Sequence, residues 1–394
     1  MNVAFRPDAG DESEPPIAVQ AGVDDAAVTV SSPHRPVLAW VERCMNRWWS
    51  TTAVGDSSMR PAVHSRVDPE AVERIAAVVR ADPEPVSLYL AASGLRRRVG
   101  ESLFVWAPQR RLAYEYDRAR HCVVLVGEAL ADVQKETARI VRVLVTDQLE
   151  ANGWTVMHAA CVTGPAGATL IPGVKGAGKT TASILAAQLP ERRLLAHDLC
   201  LVRASCDTIR VLAAPTPLRI GMGLVAALGW GPSLTRALRA GTSLHPFLDE
   251  QVAAALREGR YQRLDSGDRE LKLELFPREL TALFDVGTVS SADVSAVLMP
   301  LSASGYSASS DPLAELASHV IWGPATGYPN FLDLPAPPPP AQRRQTQDVL
   351  ERLAALPTRT VAFEFDIDRD RAILAAALRG LDQPAAERTV HRGS

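Results

Sequence analysis

One stretch constrains this chain more than any other: Ile171-Pro172-Gly173-Val174-Lys175-Gly176-Ala177-Gly178-Lys179-Thr180-Thr181. Gly173 to Thr180 carry the G-x-x-x-x-G-K-[ST] spacing of a phosphate-binding loop. Glycines let consecutive backbone N–H groups turn inward around phosphate oxygens, where side chains would block the approach. Lys179 then reaches the β- and γ-phosphates of ATP, and the Thr180 hydroxyl can ligate Mg²⁺. Such a loop needs a strand before it and, after it, a helix whose N-terminus faces the phosphates. Ala168-Thr169-Leu170-Ile171 reads as the strand and Thr180 to Leu189 as the helix, stopped by Pro190. A second β-like segment, Leu194 to Val202, carries Asp198, the carboxylate expected on a Mg²⁺-binding strand. Nucleotide binding on an α/β core follows from these residues; the reaction is a separate question.

At 394 residues the chain has room for two or three modules. A net charge of −3 gives no pull toward nucleic acid or an anionic membrane, so neither is an expected partner. Basic character is almost all arginine. Of the lysines (Lys135, Lys175, Lys179 and Lys272), two fall in the phosphate loop, where a point-charge ammonium is wanted. Cys44, Cys122, Cys161, Cys200 and Cys206 are odd in number and have no metal-ligand spacing. No apolar run reaches transmembrane length, and the acidic, Pro-containing N-terminus is unlike a signal peptide. Reducing cytoplasm is the expected compartment.

Composition predicts a disordered tail over 1–35, an α+β module over 36–152, a phosphate-loop domain over 153–385 and a flexible tail over 386–394. Within the module, Val37 to Trp49 and Pro69 to Arg80 are predicted helices, the second capped by Asp68-Pro69. Four short alternating runs between Val86 and Val126 read as antiparallel strands, with Arg96-Arg97-Arg98 as a solvated turn between two of them. Leu130 to Asn152 reads as one amphipathic helix closed by Gly153. In the domain, Thr208 to Ala213 is a predicted strand, followed by a helical region to Leu256 and then by strands at Lys272 to Leu275 and Ser295 to Leu301. A Pro-rich connection at about 329–342 precedes a helix, a strand (Thr360 to Phe365) and a final helix that are expected to pack back on the core.

The order of pieces carries a resemblance. Val156-Met157-His158-Ala159-Ala160-Cys161-Val162, a Gly-rich turn at Thr163 to Gly167, the phosphate loop, then Leu194-Leu195-Ala196-His197-Asp198 resemble the HPr kinase/phosphorylase-like kinases over residues 145–205. The resemblance implies a P-loop kinase core related in fold to phosphoenolpyruvate carboxykinase. It also implies transfer from ATP, with Mg²⁺, to a serine- or threonine-type hydroxyl of a peptide, a protein or a small amino-acid-like metabolite. The loop Gly173, Val174, Lys175, Gly176, Ala177, Gly178, Lys179, Thr180 and Thr181 matches the family's phosphate cradle, Thr180 and Asp198 its Mg²⁺ ligands, and His158 its active-site histidine. Members often assemble, so a homo-oligomer is within the expectation.

Two departures qualify it. The family's paired aspartates are His197-Asp198 here, so His158 or His197 is left as the base toward the acceptor while Asp198 holds the metal. Alternatively, loss of that carboxylate leaves a nucleotide-binding regulator without transfer activity. No E-x-R-G-x-G-type loop is present, which argues against the phosphorylase reaction and against HPr as substrate. Arg219 and Lys272 are candidates for neutralising the transferred phosphate. The strand module and the Trp-rich helix at 37–49 are candidates for acceptor recognition.

Overall fold

A computed structural model describes residues 18–55, 61–88, 92–174, 176–241, 248–267, 269–301, 311–321, 331–334, 340–364 and 366–383. The expected C-terminal tail, most of the Pro-rich connection and Lys175 lie outside these residues. The fold is mixed α/β and divides into two compact units: residues 1–43, 50–146 and 327–334, and residues 44–49, 147–326 and 335–394.

The first unit is built on β1 (Ala18–Val23), β2 (Ala26–Ser31), most of α1 (Arg35–Met45), β3 (Ser50–Val54), β4 (Ala62–Val67), α2 (Pro69–Arg80), β5 (Glu84–Ser87), β6 (Ser93–Val99), β7 (Ser102–Ala107), β8 (Leu112–Asp117), β9 (Cys122–Gly127) and most of α3 (Leu130–Ala151). Its sheet runs β3-β1-β2-β4-β9-β8-β7-β6-β5. α2 starts where expected: the Asp68 carboxylate accepts from Ala71 N at 2.8 Å, with Pro in the first turn.

Three expectations are corrected here. Residues 18–31, assigned to a disordered tail, form the β1–β2 hairpin, because a short Val/Ala run was averaged away among the polar residues around it; Asp24, at φ 56°, makes the turn. The Arg96-Arg97-Arg98 run is not a turn but part of β6, where Arg96 pairs with Glu84 at 2.7 Å and Arg97 donates to Val78 O at 3.0 Å. Long arginine stems lie along a sheet while their heads find partners, so charge alone misled. The helix expected over 37–49 ends at Met45 and its tryptophans present no exposed aromatic face: Trp40 is buried, as are Trp48 and Trp49 past its end, which belong to the second unit, where the Trp49 indole donates to Ala213 O at 2.9 Å.

The second unit contains β10 (Thr155–Met157), β11 (Ala159–Gly164), β12 (Gly167–Pro172), α4 (Lys179–Ala187), β13 (Arg193–Ala196), β14 (Cys200–Ala204), β15 (Ile209–Ala213), β16 (Leu218–Gly221), α5 (Met222–Ala227), α6 (Gly231–Arg239), α7 (Glu250–Arg257), β17 (Asp265–Ser266), β18 (Arg269–Glu270), β19 (Lys272–Leu275), α8 (Pro277–Phe284), β20 (Ser291–Leu301), α9 (Pro312–Ala317), β21 (Val320–Ile321), α10 (Pro340–Ala354), β22 (Thr358–Ala362) and α11 (Ile367–Asp382). The sheet order is β13-β11-β12-β20-β15-β14-β10-β21, with β22 added on β20. β12 lies parallel to β20 and antiparallel to β11.

The helical region expected up to Leu256 is interrupted by β16, which pairs with β19 as a separate ribbon. Leu218, Ile220, Leu273 and Leu275 of that ribbon are buried, while the intervening positions face outward, the alternation of a half-buried strand pair. The closing elements do return to the core: β22 pairs with β20, and Leu374 and Leu378 of α11 share a cluster with Ile184 and Leu185 of α4. Nine residues are too few for a helix to stand alone, so α4 is held by burial, worth about 1.5–3 kcal/mol for each large aliphatic side chain. Among the described residues, no helix is long and apolar enough to cross a membrane.

Candidate functional site

The phosphate loop takes the local form its sequence demands. β12 is buried from Ala168 to Pro172 and ends directly at Gly173. Gly176 and Gly178 adopt φ of +87° and +95°, a region that glycine enters without strain. A Cβ on Gly178 would also stand 3.2 Å from the Phe363 ring, and one on Gly173 would stand 3.1 Å from Ala177 Cβ. Ala177 N donates to Val174 O at 3.1 Å and closes the turn. α4 opens at Lys179 with no side-chain cap from Gly178, so its first-turn N–H groups and dipole are left for an anion. Thr180 and Thr181 sit in that turn, partly exposed.

Lys179 is only 6% exposed and donates to Gly173 O at 2.6 Å and Val174 O at 3.1 Å. Burial lowers its pKa, while the Asp198 carboxylate draws it back up. Both loop carbonyls and Asp198 therefore compensate a buried ammonium that an incoming phosphate would neutralise further.

Strand register assembles the other half of the site. The segment expected as one strand from Leu194 to Val202 is two, since β13 pairs with β11 and β14 with β10 and β15. The chain bends at His197-Asp198 to pass from one side of the sheet to the other. In that register Met157 faces Cys200, so His158, just past β10, arrives beside the bend. His158 Nε2 and Asp198 Oδ1 lie 3.0 Å apart, with side chains 32% and 52% exposed. Desolvation works against ionisation of Asp198, but the hydrogen bond from His158 and the positive potential of His197, His158 and Lys179 outweigh it and hold the carboxyl at about 2. His158, Asp198 and Lys179 are thus brought into one electrostatic neighbourhood.

His197 is treated differently from its neighbour. It is 4% exposed, and burial pushes its pKa down to about 4, with Asp198 and Glu274 opposing and Arg219 and Lys272 reinforcing. Its imidazole is neutral near pH 7 and turned into the protein, so of the two histidines considered as bases only His158 faces solvent. Arg219 and Lys272 both sit on the outward face of the β16–β19 ribbon, where Arg219 pairs with Glu274 at 3.3 Å.

The donors suit a hard divalent cation bound together with phosphates: the Thr180 hydroxyl and an ionised Asp198 whose hydrogen bond to His158 uses one oxygen. Among the described residues, no group of three or more His, Cys, Asp or Glu could hold a metal without such help.

Motif reading missed one pair near this site. His158 N donates to His319 O at 2.8 Å, and the His319 ring bonds Glu315. The available signal was the i, i+4 spacing of Glu315 and His319 just before an apolar strand pair. Compared with protein-family models and with curated proteins, the chain matches none.

Proposed function

We propose that the protein is an ATP- and Mg²⁺-dependent kinase of the HPr kinase/phosphorylase-like type, acting on a hydroxyl of a peptide, a protein or a small amino-acid-like metabolite. The observation that carries the reading is the His158–Asp198 hydrogen bond of 3.0 Å beside a phosphate loop whose Lys179 feels the same carboxylate. A base, a metal-binding carboxylate and a phosphate-binding lysine are the parts that phosphoryl transfer needs, because its catalysis is mostly positioning and charge neutralisation.

In this reading the loop N–H groups and the α4 N-terminus hold the phosphates, and Lys179 exchanges its loop carbonyls for phosphate oxygens. Bound Mg²⁺, held by Thr180 and Asp198, would draw charge from the phosphate oxygens. The His158 ring donates Nε2–H to Asp198 and uses its bare Nδ1 to take the acceptor proton. The acceptor oxygen bonds to the γ-phosphorus as the bond to the β,γ-bridging oxygen breaks and ADP leaves. Asp198, ionised at neutral pH, stabilises the imidazolium so formed. Arg219 and Lys272 supply positive potential on the side of His197.

A second reading, a nucleotide-responsive binder without transfer, draws on the replacement of an acidic residue by a buried, neutral His197. The test separates the two. Purified protein is incubated with γ-labelled ATP and Mg²⁺, with and without extract of the source cells, beside Lys179→Ala and Asp198→Asn. Label in a discrete acceptor, lost in both variants, is the expected result. ATP binding without any transfer would overturn the kinase reading in favour of the binder.

A further inference from the structure

Beside the loop and the His158–Asp198 pair lies a buried ionisable pair that neither of them uses. Glu315 and His319 are 6% and 3% exposed, and Glu315 Oε1 lies 3.1 Å from His319 Nε2. Glu315 lies in the last turn of α9 and His319 just past its C-cap, Ser318, and their i, i+4 spacing lets the two side chains meet. Such a pair stabilises a core less well than apolar packing of the same volume, so its presence calls for another reason.

Its location supplies one. His319 precedes β21, a two-residue strand that ends the sheet order and pairs with β10 through Val156↔Ile321 and Met157↔Val320. The two rungs among the described residues hold an edge strand in register only weakly by themselves. The next rung is the 2.8 Å bond from His158 N to His319 O. The residue whose ring is tied to α9 through Glu315 is therefore the one whose carbonyl fixes the His158 backbone. Burial, reinforced by the charges of Lys179 and His158 and opposed by Glu315, disfavours protonation of His319, and the neutral ring donates Nε2–H to the Glu315 carboxylate.

We infer that Glu315 and His319 form a positioning pair for phosphoryl transfer, in which the anchored His319 locks the β10–β21 rung that aims His158 at Asp198. The inference rests on the kinase reading and gives neither residue a contact with substrate.

The test uses the full chain with His319→Gln and Glu315→Gln, each alone and combined with His158→Ala, and a thermal melt to establish that every variant folds. Glutamine keeps the volume and a hydrogen-bonding group at both positions. Each single substitution is expected to lower kcat roughly tenfold while KM for ATP stays within about twofold, the signature of lost alignment and not of lost nucleotide binding. Neither should lower kcat further once His158 is alanine, because the pair acts through that residue. Unchanged kcat in folded single variants, or the same loss in the His158→Ala background, overturns the inference. Hydrogen exchange at the His158 amide is read on the same proteins and needs no activity. Faster exchange in both single variants supports the lock and unchanged exchange overturns it. A wild-type chain that moves no phosphate while its His158 amide still responds would defeat the kinase reading and leave the lock standing.

Discussion

The phosphate loop and the His158–Asp198–His319 cluster adjoin one another yet are made in opposite ways. The loop is contiguous: Gly173 to Thr180 supply the turn, the lysine and the helix start, and the positive φ values of Gly176 and Gly178 are met by the residues themselves. The cluster is borrowed from three segments: His158 directly follows β10, His319 directly precedes β21, and Asp198 lies in the bend between β13 and β14. Its geometry depends on register, and a one-residue slip would turn each side chain to the other face. A loop of this kind tolerates little change of residue, whereas the cluster tolerates little change of neighbours.

That contrast can be broken at several points. The largest effect is expected at the loop's buried Lys179: Lys179→Ala should lower phosphoryl transfer by on the order of 10²–10³-fold, followed with γ-labelled ATP. A loss below about tenfold would mean that the helix N-terminus alone carries the charge.

On the cluster side, His197 should make stability depend on pH. Its pKa is about 4 in the folded chain against 6.5 for an unperturbed histidine, so the unfolded state takes up protons first as pH falls. Stability is fully present above about 6.5 and declines toward pH 4, by up to roughly 3 kcal/mol. Denaturant titrations across this window should flatten in His197→Gln.

Backbone strain sharpens the loop's side of the comparison. Gly178→Ala should destabilise by about 2 kcal/mol, from left-handed backbone plus the tight approach to Phe363, and Gly176→Ala by about 1 kcal/mol from backbone alone, since nothing lies within 4 Å of its Cβ position. Equal losses in chemical denaturation would show that Phe363 yields freely.

The smallest effect belongs to Asp198. Its lowered pKa contributes stability above the ordinary carboxylate value near 3.8, lost as pH falls through about 2. Because the carboxylate is half exposed, screening leaves on the order of 1 kcal/mol or less. His158→Ala should raise the Asp198 pKa, as read by carboxyl NMR titration.

Much of this is legible in the sequence. The glycine spacing announced the loop, Asp68-Pro69 announced α2, and apolar alternation announced β7, β8 and β9, because each signal is local to a few consecutive residues. The β1–β2 hairpin was hidden by averaging over a polar stretch, and β6 by its charge, because strands are stabilised by partners distant in sequence and not by their own composition. His197 and Asp198 were adjacent letters expected in different roles, a candidate base and a metal ligand; the bend between β13 and β14 turned the first inward and left the second toward solvent. The sequence by itself determined the loop, since glycine stereochemistry and a helix start act within one turn of chain. Tertiary structure alone decided which histidine meets Asp198 and brought Glu315 and His319 behind it, since register joins residues that no local interaction links.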